Sequence, residues 1–121
     1  VSLRQAIADA LTSIPQVTGH PTTPPVVNAF DAWPQWTGTD VRQSIGRCVA
    51  SLHRYDVLVA LPTTDQATTA AAAQQLLPLL LTTLHPLGRI GVVDPATVAL
   101  DAGSTCPALR VSITVPHQHE E

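Results

Sequence analysis

Eleven prolines interrupt a chain of 121 residues, and they limit where any helix or strand can run. Proline carries no N–H, cannot continue a helix interior without cost, and drives the residue before it out of the helical region. Pro15 therefore ends the first periodic segment, "SLRQAIADALTSI". There Leu3, Ile7, Leu11 and Ile14 form one apolar stripe with Ala6 and Ala10 beside it, the spacing of an amphipathic helix. Ser2 and Gln5 have capping-box spacing at its start. Gly19, Pro21, Pro24 and Pro25 make "TGHPTTPP" a loop. Pro25 and Pro34 then bracket "VVNAFDAW", which is rich in strand formers and reads as a strand paired on one side only.

Further along, "TGTDVRQSIGR" reads as a polar connection with few anchors, long and mobile or ordered only by a partner. "CVASLHRYDVLVALP" is the longest strand expected, over 48–61. It carries Val49, Ser51, His53, Tyr55, Val57, Val59 and Leu61 on one face and Arg54, Asp56 and Leu58 on the other. Its "VLVAL" end is apolar on both faces and should be buried on both. "TTDQATTAAAAQQLLPLLLTTLHPLG" reads as a second helix. Thr63 and Gln66 have capping-box spacing, Asp65 suits the N-terminal dipole, Pro78 kinks or splits the helix, and Pro86 and Gly88 end it. Asp94-Pro95 marks a short strand or turn-rich segment, and "ALRVSITVP" alternates cleanly as a closing strand. Residues 117–121, "HQHEE", read as a frayed polar tail. The expectation is a single α+β domain over 1–116: a small, mainly antiparallel sheet of about four strands packed by two helices, in the order α-β-β-α-β-β.

Composition narrows the function. A hydrophobic content of 45% supports a core without metal or disulfide staples, and 3% aromatic content means it is built from small aliphatics. Only 12% of residues are charged and the net charge is −3, sparse for a surface wholly exposed to water. No basic run supports electrostatic binding of nucleic acid. "LLPLLL" is too short to span a bilayer, and the N-terminal segment, with Arg4, Gln5 and Asp9, is no secretory leader. Cys48 and Cys106 match no zinc spacing and read as free, buried thiols.

No residue pattern offers a credible active site. Neither cysteine has a nucleophile motif around it. "LGRIGVVD" leaves a helix and enters a strand, the wrong polarity for a phosphate cradle. His117 and His119 share a face if extended and could chelate, but without a supporting Cys or carboxylate cluster they read as part of a solvated tail; no metal and no cofactor are expected. Arg54 and Asp56 on one strand face read as a cross-strand or subunit-contact pair. Both tryptophans fall in "DAWPQWTG". Strand alternation sends residues three apart to opposite faces, so Trp33 packs on its own subunit while Trp36 reaches outward. The contact residues expected are Trp33, Trp36, Arg42, Arg47, Arg54 and Asp56.

The succession of the "LRQAIADAL" helix, "PPVVNAFD", a polar loop, "SLHRYDVLVALP", the pattern strand–"PTTD"–helix, and the terminal "ALRVSITVP" resembles the tail terminator proteins of long-tailed, lambda-like bacteriophages and their actinobacteriophage relatives. The likeness covers nearly the whole chain; Pro78 and the paired tryptophans have no counterpart in it. It implies a non-enzymatic virion protein at the head–tail junction, assembled in the bacterial cytoplasm. Such a protein forms a ring, commonly a hexamer, on the last ring of the tail tube, stops tube growth and meets the head-completion or stopper protein. Genome DNA would pass through the lumen without specific binding, and no membrane is involved. The alternatives are another neck component (connector, stopper or minor tail protein) and, in a different class, a small enzyme or ligand-binding module using Trp33 and Trp36 as an aromatic clamp.

Overall fold

The computed structural model describes residues 3–24, 27–42, 48–62, 66–99 and 105–120. Its elements are α1 (Leu3–Thr12), β1 (Thr18–Gly19), β2 (Asp31–Arg42), β3 (Cys48–Ala60), α2 (Gln66–Leu84), β4 (Arg89–Ala99) and β5 (Thr105–Glu120). The strands form one five-stranded sheet in the order β1-β2-β3-β5-β4. Every neighbouring pair is antiparallel except β1 with β2. The class is therefore α+β with two helices, as expected, but the sheet is mixed and has one strand more. That strand is β1, inside the expected loop, where Thr18 and Gly19 pair with Asp31 and Ala32.

Prolines and sheet register explain one another. The β3–β5 ladder runs from Cys48 opposite Glu120 to Ala60 opposite Ala108. Just beyond it, the Leu61 N–H donates to the Pro107 carbonyl at 3.0 Å. Antiparallel ladders alternate bonded and non-bonded pairs. Odd-numbered residues of β3 and β5 thus bond to each other, and even-numbered ones turn their backbone groups outward. Pro107 has no N–H to return the Leu61 bond, and β3 ends at Ala60. Pro116 is even-numbered, so its nitrogen faces the side of β5 left open where β4 begins, at Arg89 opposite Thr114. Pro95 stands opposite Leu109 and Pro34 opposite Val57, both of which bond across the β3–β5 ladder. Both proline nitrogens therefore face the margins of the sheet, where no donor is needed.

Pro34 accordingly does not end its strand. β2 starts at Asp31 and runs through Pro34 to Arg42, taking in the "TGTDVR" stretch expected to be mobile. A bulge between Trp36 and Gly38 adjusts its register, with Gly38 at φ 156°. The strand starts late because a local turn competes with it. The Asp31 N–H donates to the Asn28 carbonyl at 3.1 Å, and the Asn28 N–H donates to the Asp31 carboxylate at 2.8 Å. Phe30 closes that turn at φ 65°. β4 likewise runs through Asp94-Pro95 as an 11-residue strand, the first of the two expected alternatives but longer. β5 continues to Glu120, where a frayed tail was expected from His117.

Both helices cover one face of the sheet. α1 buries Ile7, Ala8 and Leu11, with Ile14 just beyond it, close to the stripe read from sequence. Gln5 Nε2 donates to Asp9 at 2.9 Å, one turn on. α2 buries Ala72, Leu76, Leu80 and Leu84, every fourth residue. Pro78 sits exposed inside a helix that is not split, and Thr82 Oγ1 donates to its carbonyl at 2.9 Å. Ser2 and Thr63–Asp65, the expected caps, lie outside the described residues. These helical stripes close on Tyr55, Val57, Val59, Val111, Ile113 and Val115 to form the main core. A smaller cluster on the opposite face joins Trp33, Ala60 and Cys106, packed by Val27, Leu58 and Val98. The "VLVAL" end is thus covered on both sides.

Gly19 marks the closest approach of α1 to the sheet: a Cβ there would meet the Ala8 carbonyl oxygen and lie 2.7 Å from Thr12 Oγ1. Gly19→Ala should cost about 1–3 kcal/mol by overpacking. Leu76→Ala should cost about 2–5 kcal/mol by leaving a cavity. Urea denaturation of the two variants checks both figures.

Candidate functional site

Among the expected contact residues that the structure describes, Trp36 lies on the opposite face of the sheet from Trp33, Arg54 and Asp56. Trp33 faces Leu58 across the ladder on the helix-free side and is only 1% exposed, so it offers a neighbour no surface. It is a core residue, held there because strand alternation and the apolar Val27, Leu58 and Val98 enclose its ring. Trp36 stands opposite Tyr55 on the helix-bearing side, past the helices, and is 53% exposed. The two rings lie on opposite faces of one strand and do not face each other. Arg42 closes β2 opposite Ala50. Arg47 lies outside the described residues. Arg54, opposite Gly38 and Thr114, is exposed on the helix-free side, and its guanidinium lies against Gly38. Asp56, two residues on and on the same face, accepts from Ser112 Oγ at 3.2 Å.

Beyond Trp36 the helix-bearing face carries a hydrogen-bonded row that sequence alone did not bring together. Trp36 Nε1–H donates to Thr39 Oγ1 at 2.9 Å, and that hydroxyl lies 2.9 Å from His53 Nδ1. His53 Nε2 lies 3.2 Å from Ser51 Oγ. Thr39 and Trp36 both belong to the stretch around the bulge, so the bulge decides that they share a face. Ser51 is buried and His53 half-buried. The row holds Trp36 in one rotamer while leaving its ring in solvent.

A second exposed feature lies at the other margin of the sheet. Leu52, Leu81, His85, Arg89, Ile90 and Pro116 line an open groove of about 1150 Å³ between the end of α2 and the start of β4. Leu81 is itself 37% exposed. The two titratable residues in that lining, His85 and Arg89, are both basic.

The helix-free face also holds an ion pair that no local sequence pattern joins. Asp94 and Arg110 are register partners. Arg110 Nε and Nη2 donate to the two carboxylate oxygens at 3.0 and 2.6 Å. This hydrogen bonding, aided by the guanidinium charge, holds the Asp94 carboxyl below its ordinary value. Cys106 is a free, buried thiol, and burial pushes its pKa up.

No family model matches the chain, and no curated protein matches it. Among the described residues, no group of three or more His, Cys, Asp or Glu stands ready to hold a metal ion, and no helix is long and apolar enough to cross a membrane.

Two measurements follow from these groups. Because the folded Asp94 pKa is depressed, its stabilising effect is present above the unfolded carboxyl range near pH ~4 and is lost as pH falls through the folded value. Arg110→Gln should raise the Asp94 titration midpoint, read by carboxyl-carbon NMR. Cys106 should resist a thiol reagent in the native chain and react fully after denaturation without reductant, as a raised pKa and burial require.

Proposed function

We propose that the chain is a structural subunit of a bacteriophage neck, a tail terminator that closes the tail tube as a head-to-tail ring and joins it to the head. The reading is supported first by two unlike apolar patches at opposite margins of one sheet. Trp36 projects at the β2 margin, where β1 covers only the first two residues of the strand. The groove beside Leu81 and Ile90 opens at the β4 margin. Rings require heterologous contacts, in which a patch on one subunit meets a different patch on the next. A rigid, half-exposed tryptophan is a favoured anchor for such a contact.

The sheet margins themselves are unsuited to strand pairing, with Pro34 on β2 and Pro95 on β4 removing donors. Side-chain patches are then left to carry association. Sparse charge agrees with a subunit covered on several sides, and the net charge of −3 agrees with a lumen along which DNA slides. In this role the subunit performs no catalysis, and its partners are further copies of itself, the tail tube protein and a head-completion protein.

Mass photometry should find a closed ring of the wild-type chain. Trp36→Ala should leave stability within about 0.5 kcal/mol of wild type, as surface changes do, yet abolish the ring. Trp33→Ala should instead lose about 3–5 kcal/mol by emptying a core site. Mixing Trp36→Ala with Leu81→Glu chains should give a dimer and no larger species, because each mixed pair retains one intact contact. A wild-type monomer at tens of micromolar would sink the proposal, as would failure of the ring to halt growth of tail tubes in electron micrographs.

A further inference from the structure

The groove at the β4 margin combines an apolar lining with two exposed basic side chains. Leu52, Leu81, Ile90 and Pro116 share it with His85 and Arg89, over about 1150 Å³. That exceeds the roughly 300–1,000 Å³ of ordinary small-ligand sites. No described lining residue is acidic, in a chain whose 9 acidic residues outnumber its 6 Lys and Arg. Neither His85 nor Arg89 has an ion-pair partner among the described residues. The turn between α2 and β4 fixes both. The His85 N–H donates to the Leu81 carbonyl at 3.1 Å, so His85 follows Leu81 by one helical turn. The Leu87 N–H donates to the Leu84 carbonyl at 3.0 Å and tightens the exit. Gly88 then passes so close to β5 that a Cβ would meet the Thr114 carbonyl oxygen. Arg89 comes next, opposite Thr114. The same two N–H groups cover terminal carbonyls of α2, whose negative partial charge would otherwise lie bare beside an anion.

We propose that this groove binds one free, single-chain alkyl carboxylate, its carboxylate held by Arg89 and His85 and its alkyl chain laid along Leu81, Ile90 and Pro116. Charge and polarity both match. A guanidinium offers a carboxylate two parallel donors in a fixed fork. The imidazole adds a further donor from the other end of the turn. The apolar lining takes methylenes out of water, each worth roughly fourfold in affinity when fully buried. A peptide strand fits less well. Pro116, opposite Leu52, lies where the β4 side of β5 is open, and it has no N–H to give. An added strand would leave a carbonyl unmet there, whereas an alkyl chain carries no such group. The site is present in each chain and does not depend on the assembly reading. In a ring, the ligand and the neighbouring Trp36 would compete for it.

Dodecanoate, kept below its micelle threshold, is titrated by calorimetry into the full Trp36→Ala chain. That variant keeps the groove and lacks the ring contact, so the result does not depend on whether the wild type assembles. Binding should saturate at one dodecanoate per chain. Arg89→Gln should weaken it about tenfold or more and His85→Gln about threefold, as loss of charge-assisted donors requires. Arg4→Gln, on α1, should leave it within about twofold, as a remote surface change does. Octanoate, with a shorter tail, should bind at least about tenfold more weakly. Dodecyltrimethylammonium, with the same tail and opposite charge, should not bind. Leu81→Glu puts a negative charge at an exposed lining position and should abolish binding with the melting temperature kept. It serves where Arg89→Gln loosens the turn. Unchanged affinity in folded Arg89→Gln or Leu81→Glu chains would overturn the proposal. So would uptake of several dodecanoates per chain, which marks adsorption, or absence of heat at millimolar dodecanoate. Displacement of dodecanoate by an acidic, leucine-rich peptide of higher affinity would assign the groove to a protein segment and overturn it too. A wild type that stays monomeric yet binds dodecanoate counts against the assembly reading alone.

Discussion

The β3–β5 ladder decides which way nearly every other group in this molecule faces. Once Leu61 donates to the Pro107 carbonyl, odd-numbered residues of both strands bond across the ladder. The same alternation puts Tyr55, Val57, Val59, Val111 and Ile113 on the side the helices cover. A slip of one residue would turn that apolar set toward solvent and aim the nitrogens of Pro95 and Pro34 at strands that need donors. Burial and hydrogen bonding therefore enforce the same register, and each in-strand proline sits where that register tolerates it.

The exposed features are consequences of the same alignment. Trp36 escapes cover because α1 and α2 pack over the apolar centre of the sheet and stop short of the bulge. Its indole still has a fixed position, since Thr39 takes its N–H. At the opposite margin, α2 ends at Leu84 and β4 starts at Arg89, leaving the β4 side of β5 open beyond Thr114, where the groove lies. The Arg110–Asp94 pair spans the last ladder on the helix-free face, where both groups keep contact with water. Its effect is one of local order more than of net stability.

Periodic segments were readable from sequence: both helices, the span of β3 and the alternation of β5 all follow from apolar spacing. Segments whose structure depends on a competitor were not. Asn28 to Phe30 read as part of a strand, but the Asp31 carboxylate draws Asn28 into a turn that keeps these residues out of the sheet. "TGTDVR" looks like a linker, yet β3 offers it a ladder, with Thr39 opposite His53 and Val41 opposite Ser51. Pro34 and Pro95 read as breaks because a sequence does not tell a sheet margin from its centre. Trp33 and Trp36 were separable by their spacing alone, since three residues along a strand invert the face. The Asp94–Arg110 pair was not, because it needs the β4–β5 register.

By itself, the sequence determined the α+β class, the apolar stripes of both helices, the burial of the "VLVAL" segment on both sides and the absence of a recognisable nucleophile motif. These depend on local periodicity and composition, which any fold of the chain must respect. Tertiary structure alone decided the five-strand order, the placing of each proline at a margin or ladder end, and the meeting of Asp94 with Arg110. Those outcomes depend on register between segments distant in the chain. Register is set by summed burial and hydrogen bonding across strands, a quantity no single segment contains.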